Sequence, residues 1–492
     1  MRSMLRFSAT LAITLTAFAS AGCGSDAQPS EAEAVSVGAD ALSFRLPLAL
    51  VRVVHASPDA PPVDVYVRGL PFPVIRALSY GSTTHFLPFF RGNYTVDLRA
   101  TPSTVADPIA YSTGPLAIPS GARITAVAEG LLGSPDPASK FRVTPIVQGK
   151  QDPGAGNASV RILHAGADAP TVGIDVGDDD PASPEVPSLA RFTDTGSAGI
   201  PLPAGAPLQI GVDAGGKRVT AFTTPPLTEG EDVLVIATGL LGKLPRERDG
   251  FDLLAVGRRG TIGFIRQNPQ VYALHASPDA PAVDVFAGAA KIVGGLSFGQ
   301  LSAPVQVPPG DYTLDFFGAA AGNVRPSNNP AASGAVSGLT AGERYLAIAT
   351  GFLAPQAGEA PFQVVAAADG FALDDATNAR LRVVHASPDA PAVDVGPVAG
   401  GKLAAAAVSG LAFGESTAPA GLALPAGSLT LGVAAAGSPT PVASFDVTTG
   451  SGDRAFVAAA GVLDPSRGPA FRLIAVSTRS TPWAAVTLAP NP

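Results

Sequence analysis

Histidine and aspartate recur four residues apart along this 492-residue chain: His55 with Asp59, His164 with Asp168, His275 with Asp279, and His385 with Asp389. Imidazole and carboxylate together are donors that divalent-metal sites use. In the first copy His55, Asp59 and Asp64 would make a minimal ligand set. Asp64, however, falls on the opposite strand face from His55, because successive side chains of a strand alternate. The competing reading is structural: the imidazole hydrogen-bonds the aspartate of the turn, or its backbone, and locks the loop, as a buried polar group requires. The copy at His164 favours the lock. It reads His-Ala-Gly-Ala-Asp-Ala-Pro where the others read His-Ala-Ser-Pro-Asp-Ala-Pro, so His, Asp and the final Pro persist while Ser and the first Pro are lost.

Other chemical templates are missing. The chain has no Gly-x-Ser-x-Gly elbow, no His-Glu-x-x-His, no phosphate-binding glycine loop and no dinucleotide fingerprint. Its single cysteine rules out both a thiolate cluster and an internal disulfide. No catalytic residue, cofactor or resident metal is therefore expected. The run Asp178-Asp179-Asp180 offers hard oxygen ligands for Ca²⁺, although short acidic loops are ordinarily just solvated. His85 has no counterpart in the other copies and reads as an exposed strand residue. Tyr80, Phe89, Phe90, Phe316, Phe317 and Trp483 are the aromatics that could stack on sugars. One ring of each Phe-Phe pair is expected to face outward, with packing as the competing account.

These residues must be positioned by strands. The motif recurs at intervals of about 110 residues, which reads as four copies of one domain. In each copy an apolar strand ends at the histidine. Val160, Ile162 and His164 share one face of it, as do Leu381, Val383 and His385. Ser-Pro-Asp then suits a type I turn, with φ preset at Pro. The second Pro opens the next strand, in which Val63 and Val65 face inward and Asp64 outward. The connection is thus a stiff hairpin or corner. With 55 Gly and 48 Pro punctuating the chain, the short strands that follow signal a sandwich or barrel. The predicted fold is all-β: four tandem immunoglobulin-like β-sandwich domains at 48–150, 157–260, 268–370 and 378–485. Polar linkers at 149–156 and 369–380 predict bending between units. Ile262, Phe264 and Ile265, in the stretch 258–270, suggest that the second and third domains pack together.

The N-terminal residues supply an address. Arg2 and Arg6, a short apolar stretch and Ser-Ala-Gly before Cys23 describe a signal peptide at 1–22. Cys23 resembles the acylated cysteine of the bacterial lipoprotein lipobox, departing from it at Ser20, where Leu is usual. The expectation is export and a lipid anchor on Cys23 as the membrane attachment, most simply to an outer membrane. A flexible tether follows at 23–47. The net charge of −8 and the lack of basic clusters argue against nucleic acid.

The stretch Arg-Val-Val-His-Ala-Ser-Pro-Asp-Ala-Pro-Ala-Val-Asp-Val at 382–395 resembles the opening of the bacterial cell-envelope domain family DUF4397. The match recurs near Val51 and Val271 and weakly near Val160, where an insertion at Gly173-Ile174 is read. The resemblance implies extracytoplasmic β-domains, often in tandem and often on lipoproteins, and carries over no reaction. Two function classes follow. One is a non-enzymatic envelope protein presenting its repeats to a protein or glycan partner. The other is a lipoprotein with one weak ligand or metal site per repeat at the His–Asp loop.

Overall fold

A computed structural model describes residues 48–149, 152–177, 180–320 and 322–492. The signal peptide, Cys23, the tether, and Asp178 and Asp179 of the acidic run lie outside the described residues. No helix among the described residues is long and apolar enough to cross a membrane.

Four β-sandwiches follow one another, as the repeat predicts. In the first, one sheet has the order Arg142–Val147, Arg123–Glu129, Leu48–His55, Leu87–Phe90. The second sheet has the order Ile75–Leu78, Val63–Val67, Val96–Ala100, Tyr111–Ser112. The strand that ends at the motif histidine runs parallel to a late strand of its domain, Leu50 opposite Arg123 through His55 opposite Ala128. The same parallel pairing joins Asn157–His164 to Asp232–Thr238, Gln270–His275 to Arg344–Thr350, and Asn378–Ala386 to Arg454–Ala460. A parallel neighbour needs a long crossover, and nearly the whole domain intervenes. Pro145 lies on Arg142–Val147, the edge strand of its sheet, where a missing N–H disturbs no ladder.

Each sheet bearing the motif is apolar on both faces. One face fills its own sandwich, with Val63, Val65, Leu98, Ala128 and Phe141 in the first. The other face packs on a neighbouring domain. Val54, Ala56, Val127 and Ile146 of the first sandwich share a cluster with Leu163, Ala165, Leu234 and Ile236 of the second. Tyr272, Leu274 and Ile348 of the third share one with Val384, Phe456 and Trp483 of the fourth.

This arrangement corrects the expected bending. The Gly149 amide donates to the Ser197 carbonyl at 3.1 Å, and its carbonyl accepts from Arg161 Nη2 at 2.7 Å. In the later linker Asp369 is ion-paired with Arg344, and Phe371 is fully buried. It also corrects the reading of 258–270. Gly260–Ile265 is a fifth strand on the motif sheet of the second sandwich, and its Phe264 ring meets Tyr80 of the first at 5.4 Å. The fourth sandwich has the corresponding strand, Ala484–Leu488.

Candidate functional site

The motif is a corner. It leaves the end of one sheet at the histidine and enters the opposite sheet at Val63, Val172, Val283 or Val393. The alternation that points Val51 and Val53 inward also points the imidazole inward, and all four motif histidines are at most 1% exposed. Each Nε2 donates to the carbonyl of the motif's last proline: His55 to Pro61 at 3.2 Å, His164 to Pro170 at 2.7 Å, His275 to Pro281 at 3.0 Å and His385 to Pro391 at 2.9 Å. Because a carbonyl can only accept, Nε2 carries the proton. Nδ1 then accepts the amide two residues on, from Gly166, Ser277 and Ser387, each at 3.3 Å. Burial holds all four imidazoles below their ordinary pKa, opposed only in part by the proline bonds. They are neutral rings with both nitrogens committed in three of the four copies.

The aspartates do not bond the histidines, so the expected His–Asp pair is replaced by two separate anchors. Each carboxylate accepts two consecutive amides from the turn after the parallel strand. Asp59 takes Leu132 and Gly133, both at 2.8 Å, and Asp168 takes Leu241 and Gly242, both at 2.9 Å. Asp279 takes Leu353 and Ala354 at 2.8 and 2.9 Å, and Asp389 takes Leu463 and Asp464 at 2.8 and 2.9 Å. The motif serine adds a third tie, with Ser57, Ser277 and Ser387 donating to the carbonyls of Gly130, Gly351 and Gly461 at 2.6–2.7 Å. The glycines in this turn are obligatory. Gly351 has φ +87°, and a Cβ there would lie 2.2 Å from the Pro361 carbonyl oxygen. In the second repeat Gly166 takes the place of the serine, and a Cβ there would lie 2.8 Å from the Phe251 ring.

Asp64 points away from the core, yet it is 1% exposed rather than solvated. Its Oδ1 accepts Ala77 N and its Oδ2 accepts Ser103 N, both at 2.9 Å, so it clamps two loops on the outer face. Asp284 and Asp394 do the same, accepting Gly295 and Ala320, and Gly410 and Gly437. The second repeat has no insertion here. Val65 and Ile174 hold the same register against Leu98 and Val212, so Gly173 stands in the place of Asp64.

One part of the corner escaped the sequence reading. Tyr80, Phe298 and Phe413 meet the rings of His55, His275 and His385 edge-on at 6.1–6.4 Å. The next residues, Gly81, Gly299 and Gly414, donate to the histidine carbonyls at 2.8–2.9 Å with φ near +80°. An aromatic-glycine pair after each of three motifs was the available signal. The second repeat puts Phe192 at φ +62° there, donating to the His164 carbonyl at 2.6 Å.

The aromatics chosen as sugar platforms are mostly interior. Tyr80, Phe316, Phe317 and Trp483 are buried and Phe89 is half-buried; Phe90, 59% exposed, is the open ring. Phe317 meets Phe286 edge-on on the outer face of its sheet, whereas Phe89 and Phe90 pair with the motif strand in the other sheet of their sandwich, so the two Phe-Phe pairs are not equivalent. His85 is exposed but precedes its strand. Among the described residues no group of three or more His, Cys, Asp or Glu side chains is placed to hold a metal ion.

The model of a domain of unknown function, DUF4397, matches residues 49–175 and 269–396. Each match covers one complete sandwich and runs on through the corner of the next. No curated protein matches the chain. Among solved structures, the Bacillus anthracis TIE protein is similar at 10% identity and a TM-score of 0.13, over 82% of this chain and 65% of that one. The chain thus spans less than two thirds of that protein's length.

Proposed function

Because this chain belongs to the DUF4397 family, we propose that it is a non-enzymatic, exported cell-envelope protein whose four sandwiches act as a stiff structural or adhesive module. Acylation of Cys23 would tether it to the membrane, and a protein or glycan partner would be met on the outer faces. One observation carries the reading. Apart from His55 Nδ1, the polar groups of the repeated motif are spent on main-chain bonds that fix each sheet-to-sheet corner. They are neutral, inward-facing or doubly bonded to amides, which leaves no donor set for chemistry. The same corners flank the buried sheet faces that join neighbouring sandwiches, so they stiffen the region where domains meet.

Native mass spectrometry and metal analysis of the purified chain, with and without a chelator, test this. The expected result is an apo mass and a melting temperature that chelation does not move. Three or four bound metal equivalents, reduced by one in a His385→Ala, Asp389→Ala double variant, would replace it with the repeated-site reading. For the envelope assignment, metabolic labelling with a fatty-acid analogue should mark the wild type and not Cys23→Ala.

A further inference from the structure

The first three sandwiches share one fold but not one interior. The third encloses a void of about 40 Å³ and the first one of about 100 Å³, whereas the second holds an apolar cavity of about 310 Å³. It runs between the two sheets, walled by Val160, Ile162, Ile174, Ile210, Val233 and Leu253. An engineered apolar cavity of about 150 Å³ already takes benzene, and small-molecule pockets start near 300 Å³. One position at the end of this cavity differs from the first and third sandwiches. Tyr94 in the first sandwich and Tyr312 in the third lie across one end, their hydroxyls tied to the carbonyls of Phe90 at 3.0 Å and Pro308 at 2.6 Å. The register that aligns Leu98 with Val212 puts Leu208 in that place in the second. Leucine has no hydroxyl to tie it across that end, and Leu208 lines the cavity instead.

The rim there is formed by Leu208, Thr224, Leu227, Thr228 and Glu231, with Pro225 and Pro226 exposed beside it. Glu231 places a carboxylate at the opening, its Oε2 accepting the Thr228 amide at 3.4 Å. A long aliphatic wall ending at one acidic rim selects an amphiphile whose chain enters and whose head stays outside uncharged or positive. We infer that the second sandwich is a binding site for a single linear alkyl chain bearing a neutral or cationic head group. This is independent of the motif corners and of the structural role proposed above.

The test is calorimetric titration of the full chain with n-decanol, n-decylamine and decanoate. The expected result is one equivalent of decanol or decylamine per chain, with decanoate weaker by roughly tenfold or more. Leu208→Tyr, which installs the plug of its neighbours, should lower decanol affinity by roughly tenfold or more while preserving the melting temperature. If that variant fails to fold, Ala255→Leu fills the same cavity from its wall and should give the same loss. Glu231→Gln should remove the discrimination against decanoate. No binding of any of the three probes, or equal binding by the filled variants, would overturn the site. Decanoate binding as tightly as decylamine would overturn the head-group assignment.

Discussion

At the scale of the residue, the motif shows how one histidine can be chemically conspicuous and chemically spent. His385 is wholly buried, donates to Pro391 and accepts from Ser387. A neutral buried hydrogen bond contributes about 1 kcal/mol, and truncating a buried ring also leaves a cavity. His385→Ala should therefore destabilise the fourth sandwich by about 2–4 kcal/mol in chemical denaturation. The sign of the pH effect follows from burial. As pH falls past 6.5 the unfolded chain takes up protons on its imidazoles before the folded one does, since the folded pKa values lie lower. Stability present above pH 6.5 is thus lost progressively below it. His385→Ala should make the acid loss shallower than in wild type, as melting curves between pH 8 and 5 would show. An unchanged slope would mean that the ring already titrates in the native state.

At the scale of the element, the parallel strands end in the same place but not in the same residue. Thr238 and Thr350 reach across to a neighbouring sandwich, donating to the carbonyls of Ala56 at 2.6 Å and Ala386 at 2.9 Å. The first repeat has Glu129 at this end. Its Oε1 accepts Thr144 Oγ1 at 2.5 Å, its Oε2 has no partner among the described residues, and burial pushes its pKa up to about 8. A carboxyl held protonated in the fold stabilises it below pH 4.5, and that stability falls as pH rises towards 8, by up to about 1.4 kcal/mol per pH unit. Glu129→Thr, copying the second and third repeats, should raise the melting temperature at pH 8 and do so much less at pH 5. With a left-handed backbone and a carbonyl oxygen 2.2 Å from where a Cβ would stand, Gly351→Ala should cost well over about 1 kcal/mol, measurable as a lower denaturation midpoint. Such elements also show what could be read beforehand. Strand alternation placed His385 with Leu381 and Val383, and the repeat set the number of sandwiches. The docking of neighbours was encoded too, in runs such as Tyr345-Leu346-Ala347-Ile348-Ala349, because a strand apolar on both faces is buried on both. Linker composition concealed it: the interface is made by sheet faces, and a polar linker says nothing about them. The aspartate anchors were hidden for another reason, since their partners are amides about 75 residues away in sequence.

At the scale of the whole molecule, the sandwiches associate as two pairs, and the added strands of the second and fourth act as clasps. Phe264 from one clasp meets Tyr80 of the first sandwich. Trp483, at the start of the other, stacks on Tyr272 of the third at 4.2 Å and 8°, with the Arg344 guanidinium 5.2 Å from its ring. Between the pairs the described contacts are of another kind: Gln306 Nε2 donates to Thr220 Oγ1 at 3.1 Å and Arg246 Nη2 to the Phe371 carbonyl at 2.6 Å. Among the described residues every buried apolar cluster stays inside one pair or one sandwich. Apolar burial is what makes unfolding cooperative between packed units, while isolated polar bonds contribute about 1 kcal/mol each. Calorimetry of the chain should accordingly resolve two transitions, not four and not one. Trp483→Ala removes a buried ring and should cost about 3–5 kcal/mol in the pair that contains it, lowering one transition and leaving the other in place. If both transitions moved together, the polar bridge between the pairs would be coupling them and the molecule would be a single cooperative body. If the affected transition split in two, the stacked tryptophan would be the element that binds the third sandwich to the fourth.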